Sequence, residues 1–190
     1  MKKTILISGP KHSGKTLASR ALQKITGWEA ADLDELIEKQ TGKSPRMLFR
    51  EGSEIFKTAE ARALASLIGQ NNPDERMKPD VPHGHQEFLI IAAGGGLVDN
   101  SEALELLSPN KEIIIVCLDV SAETAWQRIN NAAGGAELPP FLNTENPRET
   151  HTALHKRRAK AYKTLAHLTV AAENRTPEEI AEEIIKFLSL

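Results

Sequence analysis

The chain has 190 residues, of which 40% are apolar, and a formal net charge of −2. That is enough chain for one domain with a substantial core and too much apolar content for disorder. The near-neutral charge argues against broad nucleic-acid or membrane-surface binding, no run reaches the length of a membrane span, and the apolar run behind Lys2 and Lys3 is too short for a signal peptide.

In chain order, Ile5 to Ser8 reads as a strand buried on both faces. Gly9-Pro10-Lys11-His12-Ser13-Gly14-Lys15-Thr16 follows it directly, and helical periodicity over 15–26 follows that. A weaker strand at Glu29–Ala31 leads into Asp32-Leu33-Asp34, with helices over 33–41 and 53–69. Residues 71–85 are polar and rich in Pro and Gly, the composition of an exposed loop. Glu87 to Ala93 is a second strong strand, closed by Gly94-Gly95-Gly96, and Glu112 to Asp119 a third. Cys117, the only cysteine, lies inside that third strand, where a buried, unreactive thiol suits a reducing cytoplasm. Ser121 with Thr124 opens a helix over 121–131. Residues 130–147 carry Gly134-Gly135, Pro139-Pro140 and Asn146-Pro147 and read as a lid. A basic helix over 149–164, a weak strand at Leu168–Ala171 and a helix over 177–188 with a Thr176-Pro177-Glu178-Glu179 start complete the chain. Strands alternating with helices imply a parallel sheet covered on both sides.

The segment 9–16 is a complete phosphate-binding loop. A strand delivers it, glycines let backbone N–H groups face a polyphosphate, and the helix N-terminus adds positive potential. Lys15 can reach the β- and γ-phosphates, and the Thr16 hydroxyl can ligate Mg²⁺. Asp32 and Asp34 stand at the end of a strand, where open α/β sheets place ligands. One carboxylate there can hold a metal-bound water and the other can take a proton from an attacking hydroxyl. Alone, either could equally be a helix-capping Asp. The triple glycine at 94–96 lets a ligand lie against bare backbone, although a turn would look the same. Arg157 and Arg158 share a basic helix, and one of them suits a bidentate clamp on a carboxylate. His83 and His85 suggest a metal, but no Cys or acidic ligand stands at suitable spacing.

Together these residues resemble the shikimate kinase family over nearly the full length. Asp32-Leu33-Asp34-Glu35-Leu36-Ile37-Glu38 and then Thr41-Gly42-Lys43-Ser44 follow that family's signature, and Phe49, Gly52, Phe56 and Glu60 continue it. The glycines at 94–96, Ser121-Ala122-Glu123 with Arg128, Arg158 with Tyr162, and Asn174-Arg175-Thr176-Pro177 come in the family's order. The resemblance implies a three-layer α/β/α sandwich on a five-stranded parallel sheet, of the nucleoside-monophosphate-kinase type of phosphate-loop NTPase. The expected organisation is a single kinase domain over 1–190, with a lid around 130–147 and a substrate-binding helical segment around 33–62. The implied reaction is ATP- and Mg²⁺-dependent phosphorylation of shikimate, carried out in the cytoplasm by a monomer. Lys15 would stabilise the transferring group, and Asp34 would bind ring hydroxyls and orient or deprotonate the attacking one. The ATP contacts would be Gly9, His12, Ser13, Gly14, Lys15, Thr16 and Leu17, with Arg128 and Arg175 flanking the adenine. Thr16 and Asp32 would serve the metal. Asp34, Lys57, Gly94, Gly95, Gly96 and Arg158 would hold the acceptor, a small hydroxy acid.

Three features depart from the family. Lys57 stands where the family has a carboxylate-binding arginine, which keeps the charge but loses the planar fork. Pro139 stands where the family lid has an arginine that reaches the phosphates, leaving Arg148 as a possible replacement. The 71–85 loop is longer than usual. A kinase for another hydroxy acid such as gluconate, or a nucleotide-binding protein with little catalysis, are the alternatives these changes leave open.

Overall fold

A computed structural model describes residues 3–69, 88–108, 110–133 and 138–189. The 71–85 loop, with His83 and His85, lies outside the described residues.

The sheet is built from β1 (Lys3–Ser8), β2 (Glu29–Asp32), β3 (Phe88–Ala92), β4 (Ile113–Asp119) and β5 (Leu168–Ala171). Its order is β2-β3-β1-β4-β5 and all neighbours are parallel. Both weakly signalled segments, β2 and β5, are therefore the edge strands. An edge strand buries fewer side chains, so its apolar pattern is shorter and less continuous.

Side chains alternate across the central strands as the pleat requires. Ile5, Ile7, Ile90, Val116 and Leu118 enter one core, shared with Ala18 and Leu22 of α1 (Lys15–Thr26) and Ile180 and Ile184 of α8 (Pro177–Phe187). Leu6, Leu89, Ile91, Ile113 and Ile115 enter the other. That second core is covered by α2 (Leu33–Thr41), α3 (Pro45–Glu51), α4 (Ser53–Gly69) and α5 (Ser101–Leu107), through Ile37, Leu48, Leu64 and Leu107. The remaining helices are α6 (Ala122–Ala133) and α7 (Pro147–Leu165). The three-layer sandwich expected from the sequence is present.

Helix α5 has no counterpart in the sequence reading, and α3 falls inside the helical segment expected around 33–62 without being placed there as a helix of its own. Each spans only seven residues, about two turns, too few for a clear apolar period. Their starts were nevertheless encoded. Ser44 accepts from the Met47 amide with Pro45 at the first helical position, and Asn100 accepts from the Ala103 amide. At the end of the chain, Thr176 and Glu179 form the reciprocal capping box that starts α8. Cys117 is buried, and burial, helped by Asp119, pushes its thiol up to about 11, so it is inert at neutral pH.

Candidate active site

Three sheet connections converge at the C-terminal edges of adjacent strands. The phosphate loop leaves β1 at the centre, Asp32 ends β2, and Gly94–Gly96 follow β3. Right-handed crossovers in a parallel sheet bring these ends together, which is why residues far apart in sequence share one cleft.

The loop is rigidly seated. Gly9 has φ 136°, and a Cβ there would stand 2.5 Å from the Leu118 carbonyl oxygen. This glycine brings β1 against β4 and is not among the residues lining the two cavities. His12 takes φ 60°, a left-handed conformation that most side chains avoid. Its carbonyl accepts from Arg128 Nη1 at 3.1 Å, a bond that pins this conformation from α6. Burial, then Lys11, Lys15 and Arg128, hold the His12 imidazole below its usual pKa. Ser13 Oγ is buried without a partner.

A cavity of about 490 Å³ runs along this loop. Its walls include Ser13, Gly14, Lys15, Thr16 and Leu17, with Arg128 from α6 and Arg175 before α8. Lys15 Nζ donates to the Pro10 carbonyl at 2.8 Å. Burial depresses its pKa to about 8, against the pull of Asp34 and Asp32. Arg175 is oriented by Glu183 and by the Glu179 carbonyl, 2.7 Å from Nη2.

Asp32 does two jobs at once. Its Oδ1 accepts from the amides of Asp34 and Glu35, capping α2, while its Oδ2 accepts from Thr16 Oγ1 at 2.7 Å. The capping and metal-site readings are thus compatible, because a carboxylate has two oxygens. Asp34, on the first turn of α2, has its pKa raised by burial and then by Asp32, and is drawn back by Lys11 and Lys15.

A second cavity, about 320 Å³, adjoins the first. Asp34, Gly94, Gly95, Lys11 and His12 line both. Pro45, Arg46, Phe49, Phe56, Gly96 and Arg158 line the second alone, joined by Ile129 and Ala132 of α6 and by Pro139, Pro140 and Phe141 of the segment expected to be a lid. The 138–141 segment is tied down twice. Arg46 Nη2 donates to the Leu138 carbonyl at 2.8 Å, and the Arg158 guanidinium lies 5.6 Å from the Phe141 ring centre. Arg158 also donates to Asp99 Oδ2 at 2.8 Å and to the Gly95 carbonyl at 3.2 Å. Gly95 allows the loops after β1 and β3 to touch, since a Cβ there would come within 2.9 Å of the Lys11 amide nitrogen.

Beneath the glycines lies Glu60, buried on α4. Its Oε2 accepts from Asn100 Nδ2 at 3.0 Å, and its Oε1 has no partner. Burial raises its pKa to about 7.

Two expectations from the sequence are corrected here. Lys57 does not join Arg158 and Gly95 at the second cavity. Its ammonium pairs with Glu54 Oε1 at 2.8 Å, one turn back on α4, and its side chain is not among the cavity walls. A compact ammonium is satisfied by a local carboxylate, where a planar fork seeks a wider geometry. Arg148 does not replace the lid arginine. It pairs with Glu123 on α6 at 2.8 Å, on an exposed surface away from both cavities. Sequence reasoning also passed over Lys11, Arg46, Asp99 and Phe141. Lys11 and Phe141 sit at variable positions of motifs already recognised, and Arg46 belongs to the unforeseen α3.

Among the described residues no helix is long and apolar enough to cross a membrane. A family model for shikimate kinase matches residues 11–74 and 81–189. A shikimate kinase from Thermodesulfovibrio yellowstonii is 34% identical over 185 residues, 97% of this chain and 94% of that protein. Shikimate kinase from Acinetobacter baumannii, solved in complex with shikimate, matches with a TM-score of 0.78 at 26% identity, over 98% of this chain and 93% of that one. A gluconokinase from Sinorhizobium meliloti has a TM-score of 0.57 at 17% identity, over 99% of this chain and 92% of that one, a likeness of fold alone.

Proposed function

The chain belongs to the shikimate kinase family, and we propose on that premise that it transfers the γ-phosphoryl group of ATP to a hydroxyl of shikimate, forming shikimate 3-phosphate. The observation that carries this reading is the pair of adjoining cavities that share Asp34, Gly94 and Gly95. A phosphoryl donor in one and a hydroxy acid in the other would meet at a carboxylate able to take the proton.

The larger cavity takes the polyphosphate, with Lys15 on the transferring group and Arg128 and Arg175 beside the base. Positioning and charge neutralisation are most of what phosphoryl transfer requires. In the smaller cavity, Asp34 accepts a ring-hydroxyl bond, and its raised pKa favours it as a proton acceptor. Arg158 receives the acceptor's carboxylate, with Asp99 and Gly95 holding its fork in place, and Arg46 is the other arginine in the same wall. Helices α2 and α3, the start of α4 and the segment around Pro139–Phe141 enclose the acceptor, acting as substrate-binding segment and lid.

The donor set near the phosphate loop fits a hard divalent cation. Thr16 Oγ1 and Asp32 Oδ2 are adjacent oxygens, and Mg²⁺ characteristically takes one or two carboxylates together with substrate phosphates. Thr16 and Asp32 would hold it, and when bound it neutralises charge on the polyphosphate. The reduced, buried Cys117 suits the cytoplasm. The exposed large apolar residues, Leu17, Ile25, Met47, Ile55 and Phe187, are spread over four helices, which suits a monomer.

Coupled ADP release with shikimate, with gluconate and without acceptor tests the reading. Turnover dependent on shikimate is expected. Equal rates in all three arms would reject a kinase for either acid, and turnover with gluconate alone would reassign the acceptor.

A further inference from the structure

The smaller cavity has arginines, yet the lid brings a proline where a phosphate-seeking cation is expected. Pro139 and Pro140 line the cavity and offer no donor. Arg148, the nearest cationic alternative in sequence, is engaged with Glu123. A second positive charge beside Lys15 for phosphoryl transfer therefore has to come from elsewhere.

Lys11 is the cation in the right place. It is one of five residues that line both cavities, and the only one of the five that carries an ammonium group, the others being His12, Asp34, Gly94 and Gly95. Its backbone is wedged against Gly95, where an added Cβ would stand 2.9 Å from the Lys11 amide nitrogen and 3.1 Å from its Cα. The root of the side chain is therefore fixed at the seam between the cavities. The side chain itself is exposed, and no ion pair among the described residues holds its ammonium. Its charge reaches into both sites, favouring the ionised form of Asp34 and disfavouring the protonated form of Lys15. Every other lysine or arginine among the described residues lining the cavities has a partner of its own. Lys15 is bound to Pro10, Arg46 to Leu138, Arg128 to His12, Arg158 to Asp99 and Arg175 to Glu183.

We infer that Lys11 is a catalytic residue, its ammonium contacting the γ-phosphoryl oxygens as they pass from donor to acceptor and supplying from the phosphate loop the charge that the lid lacks. The inference rests on the kinase reading above. In the step, the acceptor oxygen forms a bond to the γ-phosphorus while the bond between that phosphorus and the β,γ-bridging oxygen breaks. The proton passes to Asp34, and ADP carries away the bridging electron pair. Lys11 neither gains nor loses a proton. It offsets negative charge that spreads onto the equatorial oxygens, so its effect belongs in kcat. A four-carbon stem suits this better than a short side chain, since the ammonium must follow a group that moves.

The test compares wild type with Lys11→Met and Lys11→Arg. Rates are followed by ADP release with MgATP and shikimate, ADP affinity by calorimetry, and acceptor-free ATP hydrolysis in the same preparations. Lys11→Met is expected to lower kcat by about 10²-fold and acceptor-free hydrolysis in parallel. KM for shikimate and ADP affinity should move less than about threefold, and Lys11→Arg should recover at least about a tenth of the wild-type rate. Lys11→Met retaining kcat within about threefold would overturn the inference. A loss confined to KM for shikimate would overturn it too, because Lys11 would then bind ground-state acceptor. Lys11→Arg as slow as Lys11→Met would also count against it. Unchanged ADP affinity and thermal unfolding certify the fold of each variant, and Lys11→Gln replaces any that fails. Acceptor-free hydrolysis needs no shikimate, so a wrong acceptor and a wrong role for Lys11 give different results.

Discussion

The two cavities are built by opposite strategies. The donor side is organised around one contiguous stretch, 11–17, whose backbone and first helical turn make one wall, with two arginines and residues from the ends of β2 and β3 and the start of α8 added from outside. The acceptor side draws single side chains from α2, α3, α4, α6, α7, the β3 glycines and the lid. Backbone amides pinned by a strand and a helix tolerate sequence change, because any residue supplies an N–H. A site of converging side chains changes whenever one of them is replaced. Pro139 is such a replacement and lines the acceptor side, whereas the side chain of Lys57 lies outside its walls.

The comparison breaks most sharply at Lys15. Lys15→Ala should lower kcat/KM by about 10³-fold or more and weaken ATP binding. Retained kinetics would mean that the donor wall works without its ammonium. The wild-type Lys15 pKa of about 8 also sets a pH limit. ATP affinity should decline as pH rises from 8 towards 10, since the ammonium is lost there, and this decline should be absent in Lys15→Arg.

Asp34→Asn comes next, with kcat down by about 10²- to 10³-fold and ADP affinity preserved. This variant separates the two cavities, since only the acceptor half should respond. Loss of ADP binding would show that the halves are not independent. Arg158→Ala should raise KM for shikimate by about 10- to 100-fold, the scale of one lost charge-assisted bond. An effect on kcat alone would move Arg158 out of the binding role.

Glu60 should reveal itself in stability. Its folded pKa of about 7 lies above the unfolded value near 4.5. The folded state therefore holds the extra proton between these pH values, and the associated stability is complete below 4.5 and lost as pH rises through 7. The span corresponds to roughly 3 kcal/mol at most. Glu60→Gln keeps an acceptor for Asn100 and should unfold at a higher temperature than wild type at pH 8, with the gap closing towards pH 4.5. A gap that does not change with pH would remove the titration argument.

The smallest effect belongs to Lys57. Lys57→Ala breaks an exposed pair with Glu54 and should leave the thermal unfolding midpoint nearly unchanged and shift kinetics by less than about threefold. A tenfold rise in KM for shikimate would return Lys57 to the acceptor site and undo the contrast drawn above.

The legibility of the molecule follows the same division. The central strands were readable because burial on both faces demands unbroken apolar runs. The phosphate loop was readable because its glycines, Lys15 and Thr16 act at fixed spacing along a single turn. Asp32 and Asp34 were readable as a pair, although which oxygen caps α2 and which meets Thr16 was not. Helices α3 and α5 escaped because two turns carry too little periodicity, and with α3 went Arg46. Lys57 was misplaced because sequence records a charge but not the neighbour that satisfies it.

The chain order of residues alone thus determined the sheet, the donor loop and the family, since these depend on local spacing and on apolar period. Only the tertiary structure decided which cations face the acceptor. Glu54 takes Lys57, Glu123 takes Arg148, and Gly95 holds Lys11 at the seam between the cavities. A side chain's reach exceeds the distance between competing partners, so folding, not spacing, chooses among them.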